Sequence, residues 1–418
     1  MCRGNVARQN KSSAWWQRSV ALRTAAYVDA EVEKLTATCR YLQNSESCEA
    51  KHIAYLRRSE VVASSPFAQG GFSEVSQVCS IALKSDDDCD ESKARIHLRD
   101  TVLDPSGQSR YVIKHLKEEL FSNPKSFHQA AADLVLESKF LASVDHPNII
   151  KLRGVATGGT SSFGDGKHDG FFIILDHLDD TLSHRIKRLN EKPTTGNQLQ
   201  HIAENVNYAL QIASALEYLH DIDIMYRDLK PDNIGFKDGE IKLFDFGLCR
   251  ELPEETPHHE KVFNMSGVGT RRYMAPEVAK GLGYNLKADV YSFAMVLYEM
   301  LSLKKPFDLY NKDMHRVLVC DEGLRPDIPA EWPYKIRELL HKAWSQKSDD
   351  RPTMRQIRAS LQHIADSLEK PERSTLATTR RVFFNFSKKF VKACSTSIAD
   401  LTSTTMSNTL VDTTRIYH

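Results

Sequence analysis

Within eight residues the chain sets a carboxylate, an ammonium and an amide at fixed offsets, in Tyr226-Arg227-Asp228-Leu229-Lys230-Pro231-Asp232-Asn233. A dozen residues later Asp245-Phe246-Gly247 follows the alternating stretch Ile241-Lys242-Leu243-Phe244, which reads as a strand. Asp228 offers a carboxylate for a hydroxyl proton, Lys230 a cation for a phosphate and Asn233 an amide oxygen for a metal. Asp245, at a strand end and ahead of a glycine, has the form of a magnesium ligand on a hinge. Either piece alone is compatible with a charged turn. Their order and spacing together match what phosphoryl transfer needs: a triphosphate held, its charge neutralised, and the attacking oxygen aligned.

The rest of the chain must therefore build a cleft. Residues 61–120 read as short strands, interrupted by an acidic run at Asp86, Asp87, Asp88, Asp90 and Glu91 that has the character of a solvated insertion. A glycine- and serine-rich loop over 158–170 precedes the apolar strand Phe171-Phe172-Ile173-Ile174-Leu175. Beyond residue 178 the periodicity is mainly helical, including 205–220 and 289–301. A small strand-rich lobe over 61–176 followed by a larger helical lobe over 178–366 is the expected α+β architecture, with a cleft between. Residues 1–60 form an extension with weak helical patterning around Tyr27, Val32, Leu35 and Tyr41, and 367–418 a Ser/Thr-rich tail without apolar periodicity.

Bulk properties remove several other readings. A net charge of +1 argues against a nucleic-acid partner. The eight cysteines are scattered singly, which argues against a zinc site or a disulfide framework and for a reducing compartment. No apolar run approaches a bilayer span. The first 28 residues carry five Lys or Arg and no acid, a balance shared by organelle transit peptides and by free arms, so the expected location is cytoplasmic, or an organelle if that stretch is a leader.

The segments 226–233 and 245–247 resemble the catalytic and metal loops of the eukaryotic protein kinase superfamily, and the resemblance covers residues 61–366. It implies a two-lobed kinase fold, with a small antiparallel-sheet lobe carrying one main helix and a larger, mostly helical lobe. It also implies ATP and Mg2+, with Asp228 and Lys230 catalytic and Asn233 and Asp245 on the metal. Tyr111-Val112-Ile113-Lys114 resembles the strand whose lysine holds the α- and β-phosphates. Asn123-Pro124 is a sound helix start, and the helix after it sets Phe127, Ala131, Leu134 and Leu141 on one face together with Glu137. A carboxylate on a buried stripe requires a cation, and Lys114 supplies one. The segment 67–75 resembles the glycine-rich loop over the nucleotide; Gly70 matches, while Ala68 and Ser73 stand where the family has glycine. Val75 is expected over the adenine and the hinge residues Asp176 and Leu178 at its edge.

Downstream, Gly269-Thr270-Arg271-Arg272-Tyr273-Met274-Ala275-Pro276-Glu277 resembles the substrate-docking end of the activation segment. The family pattern pairs Glu277 with Arg351, anchors the catalytic loop on the helix begun by Asp289, and puts Thr270 against that loop. Lys230 followed by Pro231 is the serine/threonine pattern, and Ala343-Trp344 with Arg351-Pro352-Thr353-Met354 resembles the tyrosine-kinase-like branch. Tyr226 replaces the usual histidine, a packing residue, so no catalytic group is lost. Arg227 before Asp228 marks control by a phosphate on the activation segment, from an upstream kinase or by autophosphorylation, with Ser266 and Thr256 as candidates. Protein substrates with Ser or Thr acceptors follow; the alternative is a pseudokinase scaffold, to which the irregular glycine loop points. In the tail, Arg380, Arg381, Lys388, Lys389 and Lys392 interleave with apolar residues, so 380–392 is a candidate for membrane-surface contact or for packing back on the lobe.

Overall fold

The computed structural model describes residues 23–37, 41–42, 52–84, 93–165, 167–191, 198–253 and 262–369. The chain divides into residues 1–365 and 366–418, and the fold that follows is that of the first. The acidic run at 86–91, Thr256 and the basic-aromatic stretch 380–392 lie outside the described residues. No helix among the described residues is long and apolar enough to cross a membrane.

The small lobe is one curled sheet of β1 (Ala54–Leu56), β2 (Val61–Ala63), β3 (Ala68–Gln69), β4 (Ser73–Ile81), β5 (Tyr111–Leu116), β6 (Leu152–Ala156) and β7 (Phe172–Asp176). The order is β1-β6-β7-β5-β4-β2, with β3 paired to β4. β5 lies between β4 and β7 and is buried along its length except at Lys114, as a central strand should be. The expected antiparallel sheet is in fact mixed: β1 joins β6 in parallel, Ala54 opposite Gly154 and Leu56 opposite Ala156. The sheet therefore begins upstream of residue 61. β1 covers an edge that β6 would otherwise present to water. Gly154 permits the approach, since a Cβ there would sit 3.1 Å from the Ala54 carbonyl oxygen.

Besides the expected helix, the described residues include two more ahead of it. The first, α1, runs over residues 23–36 and buries Val28 and Val32. The second, α2 (Lys93–Asp100), is inserted between β4 and β5. Its Arg95 reaches Glu60 at 2.8 Å and the Tyr55 carbonyl at 2.6 Å, while Glu60 also accepts from the Arg57 and Lys84 amides. Both charges are almost wholly buried, so each requires the other. The main helix, α3 (Pro124–Ser143), starts as its sequence predicts: the Asn123 side chain caps the Ser126 amide and proline opens the first turn. Phe127, Ala131, Leu134, Glu137 and Leu141 are all buried on it.

Across the sheet one row of partners runs Ala68, Val75, Lys114, Ile173 and Val155 on β3, β4, β5, β7 and β6. Residues directly opposite on paired strands share a face, so Ala68, Val75 and Lys114 look the same way.

The large lobe is built on α5 (Gln198–Asp221) and α7 (Lys287–Ser302), with α4 (Leu182–Glu191) before them. α7 is buried from Lys287 to Leu301, a core helix with no solvent face. The hairpin β10 (Ile234–Lys237) and β11 (Glu240–Leu243), which β8 (Asp180–Thr181) joins, turns at Asp238-Gly239, both at positive φ. β9 (Ile224–Met225) pairs with β12 (Arg250–Glu251), which brings the approach to Asp228 and the exit from Asp245 side by side. Further on come α6 (Pro276–Ala279), a π-turn over His315–Asp321, α8 (Tyr334–Ala343) and α9 (Met354–Glu369). Arg351 clasps Glu277 through two bonds of 2.6 and 2.8 Å and also donates to the Lys287 carbonyl, tying α6 to the core.

Candidate active site

Lys114, Glu137 and Asp245 meet between the lobes. The Lys114 Nζ lies 2.7 Å from Glu137 Oε2 and 3.1 Å from Asp245 Oδ1. Burial works against the ammonium charge, yet the two carboxylates outweigh it and hold Lys114 above the ordinary lysine range. Asp245 is held below the usual carboxylate range, chiefly by Lys114. Burial pushes Glu137 up to about 7 although Lys114 opposes it. Asp245 is the one of the three that opens to the cleft, its side chain 44% exposed against 2% for Glu137. Its backbone is left-handed, φ 66°, a conformation that non-glycine residues adopt only where their surroundings hold them.

Asp228 is nearly buried and fully engaged. One carboxylate oxygen accepts from Lys230 Nζ at 2.6 Å; the other accepts from the Thr270 amide at 2.8 Å and its hydroxyl at 2.9 Å. Asn233 donates its amide to the Asp228 carbonyl at 3.0 Å, which leaves the amide oxygen as its acceptor. Asp289, at the start of α7, holds the loop: its carboxylate accepts from the Tyr226 and Arg227 amides, each at 2.8 Å, and contacts His220 at 2.9 Å. Tyr226 sends its hydroxyl to the Phe244 carbonyl and sets its ring edge-on to Phe246, centroids 5.3 Å apart. The tyrosine at this position therefore joins the catalytic loop to the segment that carries Asp245.

Arg227 turns its guanidinium toward the activation segment. It donates to the Tyr284 hydroxyl at 2.7 Å, the Leu248 carbonyl at 3.2 Å and the Ser266 carbonyl at 2.7 Å, with Ser266 Oγ at 3.4 Å. Tyr284, which sequence reasoning passed over, bonds both Arg227 and the Ser266 carbonyl; a lone tyrosine in a loop gives no pattern to read. Gly269 presses against the loop at φ 112°; a Cβ there would lie 2.6 Å from the Arg227 carbonyl oxygen, so only glycine brings Thr270 onto Asp228.

Ala68 and Gly70 are exposed in the β3–β4 hairpin, where the Gly70 amide bonds the Ser73 carbonyl at 2.9 Å. Val75 stands opposite Lys114 on the next strand. The Leu178 side chain lies over Gly235, where an added Cβ would come within 2.5 Å of it. Asp176 turns its carboxylate to Arg153, at 2.7 and 3.1 Å, and to Lys237 at 3.1 Å. What Asp176 can offer a base is therefore its main chain. Arg153 and Lys237 were not legible as its partners, being separated from it in sequence with no shared periodicity.

Residues 101–362, more than half of the chain, match the protein kinase domain. The chain belongs to the protein kinase family. This kinase is 30% identical over 250 residues to a probable serine/threonine-protein kinase of Dictyostelium discoideum, an alignment covering 59% of the chain and 16% of the relative. It is 33% identical over 250 residues to the serine/threonine-protein kinase VIK of Arabidopsis thaliana, covering 56% and 50%. A dual specificity protein kinase of Dictyostelium, pyk3, is 28% identical over 264 residues, covering 62% and 17%. The kinase thus spans half or less of the length of these relatives.

Proposed function

We propose that this kinase transfers the γ-phosphate of Mg-ATP to serine and threonine hydroxyls of protein substrates. The observation that carries the reading is the convergence of Lys114, Glu137 and Asp245 beside an Asp228 already bonded to Lys230 and Thr270. In this reading Lys114, kept charged by its carboxylates, takes the α- and β-phosphates, and Glu137 fixes its direction. Asp228 accepts the proton of the attacking hydroxyl. Lys230, on the same carboxylate, meets the transferring phosphate. Ala68, Gly70 and Val75 cover the nucleotide, while Asp176 and Leu178 border its base.

The donor set suits a magnesium ion. Such an ion takes oxygen ligands, one or two from carboxylates and the rest from water and phosphate. Asp245 opens to the cleft with its carboxylate ionised, and Asn233 keeps an amide oxygen. Among the described residues no cluster of three His, Cys, Asp or Glu side chains is arranged to hold a metal, so the nucleotide's phosphates would complete the shell. Bound there, the ion neutralises phosphate charge.

Serine/threonine preference is supported by Lys230-Pro231 and by the names of the relatives. Regulation by a phosphate at Ser266, placed by an upstream kinase or by the kinase itself, is supported by the Arg227 guanidinium 3.4 Å from its hydroxyl. The test is transfer of labelled γ-phosphate to a generic basic protein, with phosphoamino-acid analysis and folded Asp228→Asn protein as control. Phosphoserine or phosphothreonine made by wild type alone is the expected result. Absence of transfer, together with absence of ATP binding in folded wild type, would turn the reading to a scaffold, for which Ala68 and Ser73 in the glycine loop are the motive.

A further inference from the structure

The family match begins at residue 101, and nothing before the glycine-loop strands enters the chemistry proposed above. Yet residues 41–42 touch both segments that carry it. The Tyr41 and Leu42 amides donate to the two carboxylate oxygens of Glu251, at 2.8 and 3.2 Å. Glu251 is on β12, six residues past Asp245, opposite Ile224 on the strand that leads into Asp228. The Tyr41 hydroxyl lies 2.9 Å from the carbonyl of Ser143, the last residue of α3, and 3.3 Å from the Tyr218 hydroxyl on α5. Tyr218 in turn accepts from the Asp145 amide at 3.1 Å. One proton order satisfies the whole chain: Asp145 amide to Tyr218, Tyr218 to Tyr41, Tyr41 to Ser143.

These bonds form a bracket with three feet. One foot is the C-terminal end of the helix that bears Glu137. The second is the large-lobe helix α5, and the third is the strand leaving Asp245. Any displacement of the C-terminal end of α3 changes the Tyr41–Ser143 distance, and any lifting of β12 from β9 carries Glu251 off two main-chain donors. Bidentate acceptance of backbone N–H groups by a carboxylate is charge-assisted and directional, so it resists such displacement.

We propose that Tyr41 and Glu251 are positioning residues of the kinase, which hold α3 and the Asp245 segment in the alignment that joins Lys114, Glu137 and Asp245. The proposal rests on the roles given to those three residues above. Segment 41–42 then acts on catalysis through the lobes it links and touches neither nucleotide nor substrate.

The test uses the full chain carrying Tyr41→Phe, which removes one oxygen and keeps the ring, and separately Glu251→Gln, which removes one of two acceptors. Phosphate-transfer kinetics and amide hydrogen exchange over 138–145 and 245–251 are measured for each. Loss of one ordinary hydrogen bond shifts a two-state alignment about fivefold. The expected result is therefore kcat lowered about fivefold in Tyr41→Phe, and by more in Glu251→Gln, with KM for the protein substrate unchanged and exchange faster in both segments. Kinetics and exchange equal to wild type would overturn the proposal, as would a lower melting temperature with kcat intact. If Glu251→Gln does not fold, Tyr41→Phe decides alone. A wild type that transfers no phosphate would break the functional reading, while the exchange rates would still decide the bracket.

Discussion

The two halves of the site are held by different means. Asp228 sits in a loop whose backbone is bonded to Asp289 on a fully buried helix, with Asn233 and Thr270 closing it from either side. Lys114, Glu137 and Asp245 come from a strand, a helix and a left-handed turn, and what joins them is charge across side chains. The first half is part of the large lobe's core. The second exists only while the lobes and α3 are aligned. On the proposed roles, a kinase built this way keeps its base ready and makes its phosphate grip conditional.

The largest expected effect comes from attacking the rigid half. Asp289→Ala would leave the Tyr226 and Arg227 amides and His220 buried without their acceptor, at a cost of about 3–5 kcal/mol. That is a large part of the roughly 5–15 kcal/mol that holds a domain together. The denaturation midpoint should fall sharply and activity with it; a midpoint near wild type would erase the contrast between the halves. Lys114→Met attacks the conditional half and should behave oppositely. Transfer should fall about a hundredfold or more, equivalent to about 3 kcal/mol of barrier, while the midpoint moves little. Glu137, already pushed up to about 7, can take a proton, and Asp245 can meet water. A collapse in stability would show the triad to be structural after all.

Tyr226→Phe probes the link between the halves. It strips the donor from the Phe244 carbonyl, for about 1 kcal/mol and a severalfold loss in kcat. Unchanged kinetics would mean the two loops are tied through Phe246 packing alone. The finest probe lies under the docking end of the activation segment. His315 is buried, and burial first, with Arg271, Arg272 and Arg325 after it, lowers its pKa to about 4. Below pH 6.5 the unfolded chain binds a proton that the folded one refuses until pH 4, so stability declines as pH falls through that window. The slope is at most about 1.4 kcal/mol per pH unit. His315→Leu should lose this part of the acid dependence; equal slopes in denaturation midpoints at pH 7 and 5.5 would refute it.

What the sequence made legible follows the same division. Asp228, Lys230 and Asn233 lie within one loop, so their spacing carries the geometry directly. Lys114 and Glu137 lie 23 residues apart, but the helical stripe of α3 exposed the buried carboxylate and so its need for a cation. The two groups of the bracket, Tyr41 and Glu251, are separated by 210 residues, and the weak helical pattern around Tyr41 says nothing of a distant carboxylate. Nor did short-range pattern reveal that β1 would join the sheet in parallel, because three residues carry too little alternation to read. The partners of the Asp176 carboxylate were hidden for a related reason: the hinge motif marks its backbone, while the long-range cations Arg153 and Lys237 choose where its side chain goes.

The row of partners across the small lobe has one more consequence. Pairing in β5 is matched on both sides, Lys114 opposite Val75 and opposite Ile173. A slip of β5 by one residue against these neighbours would turn Lys114 to the opposite face of the sheet. Because β5 is otherwise buried, the same slip would also misplace its apolar side chains, so the packing of the lobe and the placing of Lys114 depend on one register. The cation between the lobes is thus held in place by the ladder that builds the core, and a substitution that loosened that core would reach it without touching it.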